Sequence, residues 1–361
     1  MVRLWTLFTE AELNHAVTER LVVRRQHATE PLAILNYTER CQHEPGLWSP
    51  LTMACRGIIY RTDTHELVAR PFRKFFNYGQ AGAPEIGDEP VAVTDKLDGS
   101  LGIVYPTSSG YAVATRGSFD GEQAVWATAY WRRNLEGFTP PAGLTLLTEI
   151  IYPANRIVVD YGDTHDLILL GAVEIVTGRS LSPYDERLAE WPGRRAQRFV
   201  AATLADALAL PTRPNAEGIV IHALESDERV KVKQEDYVKL HRIVTGLNEK
   251  VVWEHLSEGK PLGDLLAPVP DELHGWVCEV ADGLVAQIER NTAEVETAYS
   301  AILAALPPEF TRKDFALKAK DERLAQCLFA RLDGKDYRPM LWKLAKPAGV
   351  RAPRVYSEDG A

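Results

Sequence analysis

The chain has 361 residues, of which 45% are hydrophobic and 25% are charged, and its formal net charge is −9. These values are typical of a globular protein with room for two domains, and the net negative charge argues against a protein that coats nucleic acid by overall electrostatic attraction. We expect no membrane span, signal peptide or structural zinc site, because the chain has no 18-residue apolar run, no apolar leader and no C-x-x-C pair among its four cysteines.

The first 90 residues mix predicted helix, strand and irregular chain. Amphipathic spacing predicts a helix near Glu10–Val23, and an irregular segment follows. Two strands are predicted at Arg56–Tyr60 and Glu66–Arg70, separated by a turn. Gly, Ala and Pro are frequent between residues 81 and 88, which indicates a linker.

From Val91 to His241 the sequence predicts short strands separated by turns, with one helix near Glu122–Leu135. The predicted strands are Val91–Thr94, Leu101–Tyr105, Tyr111–Thr115, Leu144–Ile151, Asp166–Val176, Gly218–His222 and Arg229–Lys233. Strands in such quick succession favour antiparallel sheets over a parallel doubly wound fold.

Helical spacing replaces the strand pattern in the C-terminal third. The predicted helices are Gly246–Ser257, Glu272–Leu306, Asp314–Leu332 and Met340–Ala345. We therefore expect an α+β fold with an N-terminal domain over residues 1–245 and an all-helical domain over residues 246–361.

The segment Lys96-Leu97-Asp98-Gly99-Ser100 holds the first candidate catalytic residue. Lys96 follows a predicted apolar strand, and Gly99 at a predicted turn would let the backbone approach a phosphate. Alone the segment could be a surface lysine before an ordinary turn. The acids and lysines that follow in order make Lys96 a candidate nucleophile.

Two acids lie in or beside apolar strands. Glu149 interrupts an apolar run, and Glu217 precedes Gly218 and three aliphatic residues. A carboxylate in such a place is costly unless a metal or a cation neutralises it. Both are candidate metal ligands, and the alternative for Glu149 is an ion pair with Arg156.

Lys231 and Lys233 alternate with valines, so both side chains are predicted on one face of a strand. Two neighbouring ammonium groups repel each other unless an anion lies between them. A triphosphate is a suitable anion; the alternative is a pair of solvated lysines on an edge strand.

Several blocks resemble the phage-type RNA ligase 1 family of covalent nucleotidyltransferases. They are Ala54-Cys55-Arg56-Gly57-Ile58-Ile59, the run from Arg70 to Asn77, the Lys96 segment, the run from Glu149 to Val158, Glu217-Gly218 and the run from Lys231 to His241. The resemblance implies two antiparallel sheets around a nucleotide cleft, and an ATP-dependent RNA ligase that forms a lysyl–AMP intermediate.

The resemblance also assigns roles to residues. Lys96 is the residue that carries AMP, Glu149 and Glu217 serve a Mg²⁺ or Mn²⁺ site, and Lys231 and Lys233 bind phosphate, with Lys233 nearer the α-phosphate and catalytic with Lys96. Further nucleotide-site residues are Arg56, Lys74 and Phe76, and the first two are placed to meet the β- and γ-phosphates. At Arg116 the family pattern has lysine, and an arginine clamps phosphate with a different geometry.

Other functions are left open by the residues. A DNA ligase or a capping guanylyltransferase would share the lysine chemistry, but in those enzymes a small β-barrel normally follows, whereas helices are predicted here. A catalytically silent protein that binds RNA ends is a third alternative. The expected partners are ATP and RNA ends, single-stranded or from broken tRNA, and we expect a monomer in the cytoplasm of a phage-infected or bacterial cell.

Charge is unevenly distributed in the predicted helical domain. Acidic residues outnumber basic ones between Glu249 and Phe310, and basic residues outnumber acidic ones between Arg312 and Arg354. This pattern predicts a strand-docking surface with Lys318, Lys320 and Arg323 as first candidates. The alternative is that the two halves pair with each other in salt bridges.

Overall fold

The structure is a computed structural model, and it describes residues 2–351 except residues 45, 267, 268, 270 and 350. The chain divides into two compact units between Lys239 and Leu240, a few residues before the predicted boundary at 245. The first unit contains all three β-sheets and the second is helical. The α+β prediction is therefore confirmed.

The N-terminal sheet has four antiparallel strands, β1 (Val22–Gln26), β2 (Leu32–Tyr37), β3 (Arg56–Arg61) and β4 (Leu67–Ala69), in that spatial order. Three short helices accompany it: α1 (Glu10–Thr18), α2 (Glu39–His43) and α3 (Pro50–Ala54). A buried cluster that includes Leu13, Leu35 and Ile58 joins α1 to the sheet. This sheet precedes the strand-rich region that contains the Lys96 segment.

The second sheet has five antiparallel strands. They are β7 (Ser100–Thr107), β8 (Gly110–Ala114), β9 (Leu144–Ile151), β10 (Asp166–Glu174) and β11 (Ser180–Leu181), and their spatial order is β11-β10-β9-β7-β8. Helix α4 (Glu122–Asn134) packs Ala127 and Trp131 against one face of this sheet. The apolar face of α4 thus forms one core layer, and β9 is buried as its continuous apolar run predicts.

The third sheet brings distant segments together. It contains β5 (Phe76–Asn77), β6 (Val91–Lys96), β12 (Arg198–Phe199), β13 (Gly218–Ala223) and β14 (Arg229–Lys233), in the order β12-β6-β13-β14-β5. All pairs are antiparallel except β14 with β5, which is parallel. Helix α5 (Leu204–Leu208) packs Ala207 against Val93 and Ile221 in the core beside this sheet.

Helix α6 (Glu235–Gly246) follows β14, and the remaining helices belong to the second unit. They are α7 (Glu249–Ser257), α8 (Leu262–Leu266), α9 (Asp271–Ala304), α10 (Arg312–Ala319), α11 (Ala325–Leu332) and α12 (Arg338–Leu344). The long helix α9 contributes Val277 to a core with α7 and α8, and Val295 to a second core with α10–α12. None of the helices in the described part of the chain has the length and apolar character needed to span a membrane.

Three predicted elements differ from the structure. The helix predicted to reach Val23 ends at Thr18, because Arg20 adopts a left-handed φ of 56° and the β-branched Val22 starts a strand. The segment predicted as irregular contains β2, which is buried along almost its whole length. The helix predicted over Asp314–Leu332 is interrupted between α10 and α11.

Salt bridges tie the basic end of the second unit to its acidic helix α9. Arg323 pairs with Glu294 and donates to Asn291 Oδ1 at 2.7 Å, and Arg331 pairs with Glu296 at 3.0 Å. Arg323 therefore forms a salt bridge between the basic and acidic halves of the helical domain, which was the alternative to strand docking. Among the described residues, Lys318 and Lys320 have no ion-pair partner, so they remain the candidates for strand docking.

Candidate active site

Strand pairing brings three predicted site residues to one end of the third sheet. In the register, Gly218 of β13 lies opposite Lys96 of β6 on one side and opposite Lys233 of β14 on the other. Gly218 is required there, because its φ is +152° and a Cβ would lie 1.9 Å from the Val232 carbonyl oxygen. Glu217 directly precedes it and lies between the two lysines.

Glu217 neutralises both lysines. Its Oε2 lies 2.6 Å from Lys96 Nζ and its Oε1 lies 2.9 Å from Lys233 Nζ, and only 2% of its side chain is exposed. Burial alone would raise the pKa of Glu217, but the two ammonium groups hold that pKa below its usual value. The carboxylate is ionised at neutral pH and fixes the Lys96 ammonium at the end of β6.

Glu149 has a different environment from Glu217. Its Oε1 accepts a hydrogen bond from the Gly99 amide at 2.9 Å. The pKa of Glu149 is raised to about 8, and burial is the main cause. The neighbouring acids Glu217 and Asp98 contribute to this rise, whereas Lys96 acts against it. The expected alternative partner, Arg156, instead pairs with Asp160 at 3.3 Å.

Close packing requires a glycine at position 99, and the approach of its backbone to a phosphate stays a prediction. A Cβ at this position would lie 2.5 Å from the Ile150 carbonyl oxygen and 3.2 Å from Glu149 Cγ. The Lys96 segment therefore packs closely on β9, and its backbone amide holds the Glu149 carboxyl in place.

Near these acids lies a group of cations that form no salt bridge with a carboxylate among the described residues. Burial, together with the neighbouring cations Lys96, Lys74, Lys233 and Arg56, lowers the pKa of Lys231 to about 6. No carboxylate lies within salt-bridge distance of Lys74, Lys231 or Arg56 among the residues that the structure describes. Such an excess of buried positive charge is suited to binding a polyanion.

Arg116, in the loop that follows β8, also belongs to this group. It donates to the Tyr37 hydroxyl at 2.7 Å, and its guanidinium carbon lies 4.9 Å from the centroid of the Tyr37 ring. Burial would raise the pKa of Tyr37, but Arg116, Arg56 and Lys74 together hold it below its ordinary value. Arginine at this position is thus oriented by stacking, which a lysine would not reproduce.

A cavity of about 90 Å³ lies between the second and third sheets. Both sheets contribute to its lining: Arg56, Phe72, Phe75, Ala92, Thr94, Asp95, Lys96, Leu97, Leu101, Glu149, Leu170, Ser182, Pro183, Val220, His222 and Arg229. Phe72 and Phe75 line it, whereas the predicted Phe76 packs its ring beside Lys74. Its apolar walls and the polar end at Lys96 give it the mixed lining that is typical of ligand sites.

Asp98 lies at the site, although no specific role was predicted for it. Its Oδ2 accepts hydrogen bonds from the Val158 and Val159 amides at 2.8 Å, and its Oδ1 accepts one from the Tyr237 hydroxyl at 2.7 Å. Asp98 thereby ties the Lys96 segment to the chain that follows β9 and to α6. Its position two residues after Lys96 was the signal available in the sequence.

Tyr37 and Trp48 also lie at the site, and both were missed. They belong to the segment that was predicted to be irregular, more than 45 residues before Lys96. Nothing in their local sequence connects them with the lysine motif, because only the fold brings the N-terminal sheet next to Lys74.

The acids fit a metal ion that arrives with phosphate better than a resident one. No group of three or more His, Cys, Asp or Glu side chains suited to a metal exists in the described residues. Mg²⁺ is commonly held by one or two carboxylates together with substrate phosphates and water. Glu149 is the better ligand, because both oxygens of Glu217 already contact ammonium groups.

Comparisons with known proteins place the chain in a family. The sequence pattern of a family described as RNA ligase matches residues 54–237, just over half of the chain. The RNA ligase of Rhodothermus phage RM378 is 24% identical over 364 aligned positions, which cover 79% of this chain and 82% of that protein. RNA ligase 1 of bacteriophage TS2126 is 30% identical over 157 positions, which cover 38% of this chain and 39% of that protein.

Among solved structures, a mutant Naegleria gruberi RNA ligase with ATP and Mn aligns at 20% identity and a TM-score of 0.36. That alignment covers 44% of this chain and 52% of the Naegleria chain, so the match spans about half the length of that protein. From the family pattern and the phage relatives, the predicted RNA ligase family is confirmed: this chain is an enzyme of the phage-type RNA ligase family.

Proposed function

We propose that this protein is an ATP-dependent RNA ligase that joins RNA 5′-phosphate and 3′-hydroxyl ends, and that Lys96 is the residue that carries AMP. The observation that carries this proposal is the position of Lys96 Nζ at the polar end of the cavity, 2.6 Å from Glu217 Oε2. Lys231 and Arg56, which have no carboxylate within salt-bridge distance among the described residues, lie close enough to share the charge of a triphosphate.

In the first step the Lys96 amine attacks the α-phosphorus of ATP. The ammonium first loses one proton to water, and Glu217 Oε2, 2.6 Å away, keeps the resulting amine oriented. The nitrogen lone pair then forms a P–N bond as the bond from the α-phosphorus to the bridging oxygen breaks. Pyrophosphate leaves with that electron pair, and the nitrogen, positively charged after attack, releases its second proton to water as the neutral P–N–H linkage forms.

In the second step an oxygen of the RNA 5′-phosphate attacks the phosphorus of the lysyl–AMP, and Lys96 leaves as an amine that takes up a proton. In the third step the RNA 3′-hydroxyl loses its proton and attacks the 5′-phosphorus, and AMP leaves. Catalysis of phosphoryl transfer depends chiefly on positioning and charge stabilisation. Lys233, held by Glu217, is placed to serve all three steps.

A Mg²⁺ or Mn²⁺ ion bound with the phosphates would be held by Glu149, with Glu217 as the second acid. Its contribution would be neutralisation of phosphate charge. The raised pKa of Glu149 supports this assignment, because a divalent cation would stabilise the ionised form that burial disfavours.

The proposed partners are RNA ends, single-stranded or from broken tRNA, and the protein is proposed to act as a monomer inside the cell, where ATP is available. The helical unit from Leu240 onward is proposed to select the RNA. Its exposed lysines Lys318 and Lys320 support this role, because phosphate contacts position a strand without reading its bases.

The proposal is tested with α-labelled ATP or GTP and Mg²⁺, followed by denaturing electrophoresis. We expect label on the wild-type protein with ATP but not with GTP, and no label on Lys96→Ala. Lys239→Ala is the matched control, because Lys239 is an exposed lysine on α6. Labelling with GTP would indicate a capping guanylyltransferase, and the absence of label with intact RNA binding would indicate a silent RNA-end-binding protein.

A further inference from the structure

Three aromatic rings surround the ammonium group of Lys74. Its Nζ lies 5.7 Å from the centroid of the Tyr37 ring, 5.2 Å from that of Trp48 and 5.4 Å from that of Phe76. The rings also contact one another, since Trp48 meets Tyr37 edge-to-face at 4.9 Å and Phe76 at 5.6 Å. A cation within about 6 Å of a ring centroid is attracted to the ring face. We call these three rings the aromatic cage.

The aromatic cage is assembled from distant segments. Tyr37 ends β2, Trp48 precedes α3 and Phe76 begins β5. The Lys74 amide donates to the Met53 carbonyl oxygen at 2.8 Å, which fixes the Lys74 backbone against α3. The position of the ammonium therefore depends on both its backbone anchor and the three rings.

Lys74 is held differently from the other site lysines. Lys96 and Lys233 both pair with the Glu217 carboxylate, so a phosphate must compete with an anion for them. The aromatic cage orients Lys74 through ring quadrupoles and adds no negative charge. Burial lowers the pKa of Lys74, but an incoming phosphate favours the ammonium form and has no carboxylate to displace among the described residues.

We propose that Trp48 is a positioning residue for the first reaction step, in which it holds the Lys74 ammonium where the β- and γ-phosphates of ATP bind. This inference rests on the proposed function, in which ATP is the only reactant that carries those phosphates. Tyr37 and Phe76 have further structural roles, since Tyr37 binds Arg116 and Phe76 pairs in β5. Trp48 lies in neither a helix nor a strand, and its ring contacts Lys74 and the other two cage rings.

The test separates the first step from the later ones. In Trp48→Leu, KM for ATP in the formation of the Lys96–AMP adduct should rise about 3- to 30-fold, as expected when one cation–ring contact is lost. Sealing of pre-adenylylated RNA by the same variant should be unchanged, because that substrate lacks β- and γ-phosphates. Trp48→Phe keeps a ring and should restore most of the ATP affinity.

Trp5→Leu is the matched control, because Trp5 lies in the same N-terminal region but its ring packs at a tilt against His65, outside the aromatic cage. An unchanged KM in Trp48→Leu would overturn the proposal, and so would an equal loss in both reactions. If the wild-type protein forms no adduct, the proposed function fails, and calorimetry with inorganic tripolyphosphate then decides the role of the cage. Weaker binding by Trp48→Leu supports the cage as a phosphate clamp, and equal binding rejects it.

Discussion

Lys96 Nζ lies 2.6 Å from Glu217 Oε2, and the same carboxylate lies 2.9 Å from Lys233 Nζ. The proposed nucleophile is therefore held as one half of an ion pair, at the point where β6 meets β13. A lysine in this state cannot attack until its proton is removed. Glu217 thus both orients Lys96 and opposes its reaction until ATP enters.

Glu217→Gln should destabilise the protein by about 3 kcal/mol at pH 7, because it leaves two partly buried ammonium groups without their anion. Adduct formation should fall on the order of 10²-fold or more. The pKa of Glu217 is lowered in the folded protein, so its stabilisation is present above its unfolded pKa and is lost as pH falls through the folded value. The difference in Tm between variant and wild type should therefore shrink below about pH 4. A Tm difference that stays constant with pH would contradict this role.

Glu149→Gln should have the opposite effect on stability. The pKa of Glu149 is raised to about 8, so the stability linked to its neutral form is present at low pH and is lost as pH rises through that value. The amide mimics the neutral acid, and Tm of the variant should exceed that of wild type above pH 8 and match it near pH 4. Adduct formation should still fall on the order of 10²-fold, since the amide is a poor metal ligand. A normal rate in every step would make Glu149 a structural acid.

Arg56→Ala and Lys74→Ala should slow adduct formation far more than later steps. Both cations are assigned to the β- and γ-phosphates, which leave as pyrophosphate in the first step. The measurement is a comparison of sealing with ATP plus 5′-phosphorylated RNA against sealing with pre-adenylylated RNA. Equal losses of sealing with the two substrates would contradict the assignment of Arg56 and Lys74 to the β- and γ-phosphates. Arg73→Ala is a suitable control, because Arg73 is exposed on the same segment.

Lys231 should take up a proton when a nucleotide binds. Its pKa is lowered to about 6 in the free protein, so it is mostly neutral at pH 7.5, and an adjacent triphosphate favours the ammonium form. Calorimetry of an ATP analogue with a non-cleavable α,β-methylene bridge, in buffers of different ionisation enthalpy, should show proton uptake at pH 7.5 that declines below pH 6. Lys231→Met should lack this uptake. Identical proton counts in wild type and variant would show that Lys231 does not meet the phosphates.

Lys318→Glu combined with Lys320→Glu should leave Lys96–AMP formation intact and weaken sealing of RNA. Loss of phosphate contacts lowers affinity for every RNA sequence and reduces the dependence of binding on salt. Arg323 is excluded from the test, because it is already paired with Glu294. The control is Arg323→Lys, which keeps the charge and should leave sealing unchanged. Normal sealing of several RNA substrates by the double variant would exclude these lysines from strand docking.

Local signals in the sequence predict most of the residues of the proposed site. Lys96, Glu217, Lys231 and Lys233 are predicted by their order and spacing, and strands β9 and β14 by their residue patterns. These features depend on neighbouring residues in the chain, since strand alternation and apolar runs are properties of short segments. The pairing of Lys96 and Lys233 with one carboxylate was not predictable, because the register of β6, β13 and β14 fixes it.

Sequence alone determined the family, the α+β class, the lysine nucleophile candidate and the change from strands to helices near residue 240. Tertiary structure decided which charges are neutralised. It gave Glu217 two ammonium partners, left Glu149 with a pKa of about 8, and enclosed Lys74 in aromatic rings that include Trp48. The physical reason is that burial and charge proximity depend on contacts between segments far apart in the chain, and no local pattern records them.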